Sequence, residues 1–415
     1  MNNLETKIRK KNITFQGDMA KFIKRRRIEL GLKLEELSEG ICSVSYLSRI
    51  ENNLVEVDDS YYELLCEKME INYEEVKKDR SRNIYIDLLK EYISNNTMSL
   101  SQIVKHAIES KSYVDTEIEL IVLLDNIVNG LYEESRKILI KLERISEQLS
   151  NSELLFYMYC YTLYAYKTNQ NKRAYRNILI MSNVIYDDSF FECCVYDLAM
   201  DVMDATSNKL LWWKYYHKFV NIANNVLFRQ RINLHKLQML QYESQINFEN
   251  VLDEYNNLHN NLDIDNYDVK EKYCYYLSKS YYHNKQYDKA AEIILSIKPS
   301  TRMTCILSSC LLHLHNIEVI NNIMTLLNNI EFNKYEKIYQ DYFIFIKLMM
   351  QGNNNYILYN YYRTVLISDD DFFDEFIEKE KEKLFIDILI GCSKYKEGVK
   401  YWKKLAELTL HDKLK

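Results

Sequence analysis

The sequence predicts an all-α fold on three observations. Seven Gly and one Pro in 415 residues are far too few for a protein built on β-turns or phosphate-binding loops. Beyond residue 84, apolar residues recur at helical spacing in runs of roughly 12 to 20 residues. Two to six polar residues, usually containing Asn, Asp, Ser or Gly, separate one run from the next.

Taken in order, residues 1–16 read as a short polar and basic arm. A first helix is expected over Asp18–Leu30, with Met19, Ile23 and Leu30 on one side and Gly31 ending it as a C′ residue. The stretch Leu32–Asn53, LKLEELSEGICSVSYLSRIENN, then reads as two short helices joined by a turn, anchored by Leu34, Leu37, Ile41, Leu47 and Ile50. Asn52-Asn53 supplies a residue tolerant of positive φ at the exit. Asp58-Asp59-Ser60 offers caps for a fourth helix carrying Tyr62, Leu65 and Met69, and a fifth helix is expected over Tyr73–Lys78. The expected organisation is a five-helix domain over 1–78, a linker helix over 79–96 and a repeat domain over 97–415.

The opening of the third helix, Ser43-Val44-Ser45-Tyr46, is small and polar, as a helix entering a DNA major groove requires. Charge distribution agrees. The chain carries a net charge of −6, yet Lys7, Arg9, Lys10, Lys11, Lys21, Lys24, Arg25, Arg26 and Arg27 face only one acid, Asp18, between residues 7 and 27. A basic patch on an acidic protein suits local phosphate contact and limits indiscriminate binding.

In the array, breaks fall near Asn95-Asn96, Gly130, Asn151, Asn169–Asn171, Asp187-Asp188, Asn208, Asn260-Asn261, Asn284, Pro299-Ser300, Gly352–Asn355 and Ser393. Tyr273–Ser300 is the most explicit unit: Leu277, Ser278 and Tyr281 on one helix and Ala290, Ile294 and Ile297 on the next match the offsets of a tetratricopeptide repeat. Weaker copies lie at Met158–Met181 and Gly391–Leu408. A lone helical hairpin cannot bury its apolar face, so such units stack.

Several chemistries have no counterpart in the sequence. No phosphate-loop, dinucleotide or HExxH motif occurs, His313 and His315 fall on different sides of a helix, and no Ser, His and Asp grouping suggests a nucleophile. Asp369-Asp370-Asp371 precedes Phe372, Phe373 and Phe376 and reads as a cap region. No enzyme, cofactor or metal site is expected. Nine cysteines without a CxxC pair read as free thiols of a reducing cytosol. With no signal peptide and no apolar run of about 18 residues, the expected location is cytoplasmic and off the membrane.

The segment Leu37–Asn52, LSEGICSVSYLSRIEN, resembles the Xre-type (lambda-repressor-like) helix-turn-helix. Within that class it is similar to the Rap–Rgg–NprR–PlcR–PrgX peptide-pheromone regulators, nearest the NprR and PlcR branch. The resemblance implies an N-terminal domain followed by a right-handed superhelical array of tetratricopeptide-like hairpins. It places Ser43, Val44, Ser45 and Tyr46 at the major groove, with Arg49 reaching a base or phosphate. Lys21, Lys24, Arg25 and Lys33 would lie near phosphate, and Arg27 and Glu51 match a pair that bridges the first and third helices. It further implies a homodimer reading an inverted repeat of double-stranded DNA, and a short signalling peptide in the concave face of the array.

An extended peptide needs amides for its backbone and aromatic walls for its side chains, and Asn224, Asn225, Tyr242, Gln245, Asn247, Tyr275, Lys279 and Tyr282 supply both types. The expected function is quorum sensing through a re-imported peptide, with sporulation, virulence or toxin, or extracellular-enzyme genes as targets. Two other readings stand beside it. The array could chiefly sequester a response regulator of the sporulation relay, or the chain could be a ligand-independent repressor.

Overall fold

The computed structural model describes residues 19–411 apart from short stretches at 82, 95–96, 147–148, 185, 187, 207, 224–225, 244–247, 261, 263–266, 333–335 and 367–373. Among the described residues every regular element is helical. The chain divides into two compact units: the first runs to Tyr164 and includes Leu179–Val195, and the second comprises Ala165–Ile178 and the chain from Tyr196 onward.

The first unit begins with α1 (Met19–Glu29), α2 (Leu34–Ser38), α3 (Val44–Glu51), α4 (Asp59–Lys68) and α5 (Tyr73–Ser81). The boundaries follow local chemistry. Gly31 takes φ +70° after α1, and Asn53 takes φ +55° after α3. Ser43 caps α3 by accepting from the Tyr46 N–H at 3.2 Å, and Asp58 caps α4 by accepting from the Ser60 N–H at 2.9 Å. At α2, Lys33 stands where a hydroxyl cap is usual. Its side chain cannot accept a hydrogen bond, and instead the Glu36 carboxylate accepts the Lys33 N–H at 2.6 Å, half of a capping box. Phe22, Ile23, Leu37, Leu47, Leu65, Cys66, Ile71 and Val76 form the shared core.

That core does not end with α5. Val114, just before α8 (Asp115–Val128), is buried in it. Between them, α6 (Ile84–Ile93) occupies most of the stretch read as a linker, and it buries Tyr85, Ile86, Leu88, Leu89 and Ile93. Tyr85 stacks on Phe156 with centroids 4.4 Å apart. Helices α7 (Thr97–Glu109), α8 and α9 (Tyr132–Arg144) follow as packed neighbours, with Gly130 at φ +74° turning α8 into α9. Helices α10 (Asn151–Lys167), α11 (Asn171–Met181) and α12 (Ser189–Ala205) come next.

The second unit continues with α13 (Lys209–Ile222), α14 (Arg229–Glu243), α15 (Phe248–His259), α16 (Tyr267–His283), α17 (Tyr287–Leu295), α18 (Met303–Cys310) and α19 (Ile317–Asn328). It ends with α20 (Lys337–Met350), α21 (Asn355–Tyr361, extended by a π turn over Tyr362–Leu366), α22 (Glu375–Gly391) and α23 (Tyr395–His411). Helix α14 packs on α15 and α16, α16 on α17 and α18, and α18 on α19 and α20, which is the contact rule of stacked hairpins. In the explicit repeat, Ser278 and Ala290 are fully buried on the packed pair α16 and α17. Helix α22 departs from the nearest-neighbour rule, folding back to pack against α18.

Candidate DNA-reading face and a buried polar cluster

The candidate reading face is α3. Leu47, Ile50 and Glu51 are buried, which turns Ser43, Val44, Ser45 and Arg49 outward. Tyr46 is half-buried, its ring edge-on to Tyr61 at 5.4 Å. The helix is fixed from behind by Arg27. Its Nε and a terminal nitrogen donate to the two Glu51 oxygens at 2.6 and 2.8 Å, and its other terminal nitrogen donates to the Leu32 carbonyl at 2.8 Å. This is a bidentate pair between two nearly buried side chains, so it sets the angle of α3 on α1. The pairing holds the Arg27 guanidinium above its usual range, Glu51 outweighing the opposing effect of burial.

The basic residues around this face differ in what they do. Lys21 and Lys33 are exposed, whereas the Lys24 ammonium donates to Asn52 Oδ1 at 2.8 Å. Arg25, expected near phosphate, turns instead to Glu153 at the start of α10, donating to both carboxylate oxygens, one at 2.8 Å. The Glu153 carboxyl stays below the usual range although burial pushes it up, because Arg25 and the Ser150 N–H both stabilise its charge. Further ties hold α1 and α4 in this unit: Glu29 accepts the Asp115 N–H at 2.9 Å, and Lys111 donates to the Glu70 carbonyl at 3.1 Å. The expected basic arm, with Lys7 through Lys11, lies outside the described residues.

Of the expected peptide contacts, Asn224, Asn225, Gln245 and Asn247 lie outside the described residues, and Tyr242 is described only as part of α14. Tyr275, Lys279 and Tyr282 are described, all on α16 and all buried. They belong to a polar cluster that runs through the interior of the second unit. Asp197, Asp201 and Asp204 form an acidic stripe on α12. Asp197 meets His235 at 2.7 Å, and Asp201 accepts from Gln238 at 2.7 Å and from Lys272 at 3.0 Å. Gln238 in turn accepts the Trp212 Nε1–H at 3.0 Å, and Tyr276 donates to Asp204 at 3.0 Å. Burial raises the Asp197 and Asp201 carboxyls, but Arg231, His235 and Lys272 more than reverse it and hold both below the usual range. Asp204 goes the other way, because burial outweighs Lys279 and Arg302.

Sequence reading passed over these acids and their partners. The stripe was visible as Asp at i, i+4 and i+7 of a largely apolar helix, SFFECCVYDLAMDVMDA. Its hydrogen-bond partners are 37 to 72 residues away and carry no spacing signal. Among the described residues no cluster of His, Cys, Asp and Glu could hold a metal ion, and no helix is long and apolar enough to cross a membrane.

Comparison with known proteins bears on the N-terminal domain first. Residues 23–76 match the family described as Helix-turn-helix. The N-terminal segment is a helix-turn-helix domain of the Xre type. Part of the chain is similar to the crystal structure of PlcR from Bacillus thuringiensis in complex with the peptide PapR7 and DNA, at 15% identity and a TM-score of 0.36, over 62% of this chain and 97% of that one. A second similar structure is a bacterial peptide pheromone/receptor complex, at 14% identity and a TM-score of 0.24, over 76% of this chain and all of that one. No curated protein matches the chain.

Proposed function

We propose that this protein is a cytoplasmic transcriptional regulator that binds an inverted-repeat operator as a homodimer and answers to a short signalling peptide held in its helical array. The observation that carries the DNA half is α3: a capped helix, braced by the Arg27–Glu51 pair, that presents Ser43, Val44, Ser45 and Arg49 to solvent. Serine hydroxyls read either donors or acceptors on base edges, and an arginine reads guanine or phosphate. Two copies related by a two-fold axis would read half-sites about one helical turn apart.

The peptide half rests on the resemblance of Leu37–Asn52 to the pheromone regulators and on the polar interior of the second unit. An extended backbone needs buried donors and acceptors with aromatic walls, and Tyr275, Lys279 and Tyr282 stand among such groups. Differential affinity of about 1–3 kcal/mol between two arrangements of the dimer would suffice to switch operator occupancy several-fold. Sporulation, virulence and extracellular-enzyme genes are the proposed targets.

The test is selection of bound genomic fragments by the full chain, with and without synthetic peptides encoded beside the gene. An inverted repeat whose occupancy changes with one peptide supports the proposal. Recovery of an inverted repeat with indifference to every peptide would leave a ligand-independent repressor. Loss of all sequence preference, with a response regulator captured stoichiometrically, would favour a protein-binding array.

A further inference from the structure

The place where α22 folds back onto α18 also holds a poorly satisfied buried charge. Arg302, at the start of α18, is walled in by aromatic residues. Its guanidinium carbon lies 4.4 Å from the Tyr275 ring centroid, yet about a quarter of the side chain, 24%, remains open. Its nearest carboxylates are Asp374 at 3.7 Å and Asp204 at 3.8 Å, both beyond hydrogen-bonding distance. Among the described residues, then, a guanidinium with five donors makes ion-pair contacts but no hydrogen bond.

Beside it, Tyr275 is 2% exposed and its hydroxyl has no hydrogen-bond partner. A buried hydroxyl left unpaired is costly, and native interiors rarely keep one. An unbonded guanidinium and an unbonded phenol thus stand side by side as donors without an acceptor.

The second cation is Lys279, one helical turn along α16 from Tyr275 and buried. Its ammonium is held by Glu375 at 3.2 Å, and Tyr282, further along the same helix, donates to Glu380 at 2.9 Å. Asp374, Glu375 and Glu380 are supplied by one element, the start of α22, from about a hundred residues away in sequence (96 and 98 for the two bonds). Asp374 also caps α22 through the Ile377 N–H at 3.1 Å, and its other oxygen lies 3.2 Å from Tyr339 Oη. The first turn of α22 therefore brings its carboxylates to groups on three other helices, α16, α18 and α20.

We propose that Arg302 and Lys279 are the anchor for a carboxylate of the peptide ligand, with the Tyr275 hydroxyl as an added donor, and that Asp374 and Glu375 occupy this anchor in the ligand-free chain. The proposal rests on the peptide-sensing reading above and adds the chemistry of the ligand. A carboxylate between the two cations gains bidentate, charge-assisted bonds that Asp374 does not make at 3.7 Å. Entry of the ligand carboxylate then releases the start of α22 from α16 and α18. The carboxylate can come from a free C-terminus or from an Asp or Glu side chain.

The experiment uses the full chain and four pools of synthetic hexapeptides of matched composition. The pools combine a free or amidated C-terminus with Asp/Glu or Asn/Gln side chains. Binding is read by thermal shift and calorimetry, and the state of α22 by hydrogen exchange across residues 375–391. Pools with a carboxylate should bind about tenfold or more tighter than the fully neutral pool, the factor expected for one charge-assisted pair, and should speed exchange in α22. The free-acid and side-chain arms tell which carboxylate is read. D374N/E375Q, which keeps an amide cap at 374, should bind the acidic pools at least about tenfold tighter, since the internal competitor is gone. R302Q, checked for native circular dichroism, should lose the discrimination between pools.

Equal binding of all four pools, or an R302Q protein that still discriminates, would overturn the anchor and leave peptide sensing standing. Binding of no pool, with an operator that no peptide releases or recruits, would remove both.

Discussion

Arg25 on α1 and Glu153 at the start of α10 form a two-oxygen ion pair in which the carboxylate side chain is only 3% exposed. A basic residue of the first helix of the DNA-binding domain is thus engaged with the body behind it. The immediate consequence concerns stability. E153Q leaves Arg25 half-buried against a neutral amide and should lower the unfolding free energy by about 3 kcal/mol, the cost of stripping one partner from a buried pair. R25Q/E153Q should lose less than the sum of the two single variants. Urea unfolding of the four proteins measures this, and strict additivity would mean that the pair is not formed in solution.

The same pair separates the roles of neighbouring cations on DNA. Lys21 is exposed, so K21A should weaken binding to every sequence and reduce the salt slope of log K by about one. R25Q should leave that slope nearly unchanged, its cost appearing in stability instead. Titrations of a fluorescent duplex at several salt concentrations decide the point; a reduced slope for R25Q would place Arg25 on phosphate.

On α3, Ser45 and Arg49 are exposed, whereas the half-buried Tyr46 ring meets Tyr61 edge-on at 5.4 Å. S45A/R49A should therefore erase preference for the operator over random DNA while leaving the unfolding midpoint within about a degree or two, as for surface changes generally. Y46A should cost about 1 kcal/mol of stability as well, the usual worth of an aromatic pair. Competition binding alongside thermal melts separates the two effects. An unchanged footprint for S45A/R49A would mean that another surface reads the bases.

The helix-turn-helix was legible because its determinants are local. Ser43 caps by bonding three residues ahead, Gly31 and Asn53 take the positive φ their side chains permit, and Leu34, Leu37, Leu47 and Ile50 repeat at helical spacing. The fit of Arg27 to Glu51 was legible only through family resemblance, since 24 residues separate them. In the array, Tyr275, Lys279 and Tyr282 were singled out for being aromatic or polar, but Arg302, Asp374 and Glu380, which give them meaning, were not. Those contacts close over 96 and 98 residues through a helix that returns across the repeat, and no periodicity encodes a return. Asp204 and its neighbours were missed for a different reason: a single acid per turn in an apolar helix looks like solubility until its face proves to be inside.

The acidic stripe makes the second unit sensitive to acid, and the sign follows from Asp197 and Asp201. Their folded carboxyls titrate below the unfolded value near 4, so the stability they contribute is complete above about pH 4 and is lost as pH falls through the folded values. Asp204 is raised and acts in the opposite sense, so D204N should remove a cost that grows as pH rises above the unfolded value near 4. D201N, by contrast, leaves Lys272 facing a neutral amide and should be destabilised at pH 7 but flatter in its response as pH falls from about 4 to 2. Chemical unfolding from about pH 7 to 2 tests both variants, and a D201N curve parallel to wild type would show that the Lys272 pairing does not report on folding.

The cysteines give the last prediction. None of the nine is in a disulfide; seven are buried, and Cys42 and Cys392 are partly exposed. A thiol reacts as its thiolate, so burial acts twice, by blocking the reagent and by raising the pKa. Cys66, inside the helix-turn-helix core, is pushed up to about 11 by burial alone, and Cys310 is raised further. Native protein at pH 8 should therefore label rapidly at no more than two thiols, with Cys42 the slower because burial raises it too, although the Leu47 N–H partly offsets this. The other seven should label only as fast as their surroundings open. Cys66 lies among Leu37, Leu47 and Leu65, so its labelling rate reports opening of the helix-turn-helix core. E153Q, if it loosens the hold of α10 on α1, should speed Cys66 and leave Cys310 in the second unit unchanged. Equal acceleration at both positions would mean that the ion pair supports global stability rather than the DNA-binding domain alone.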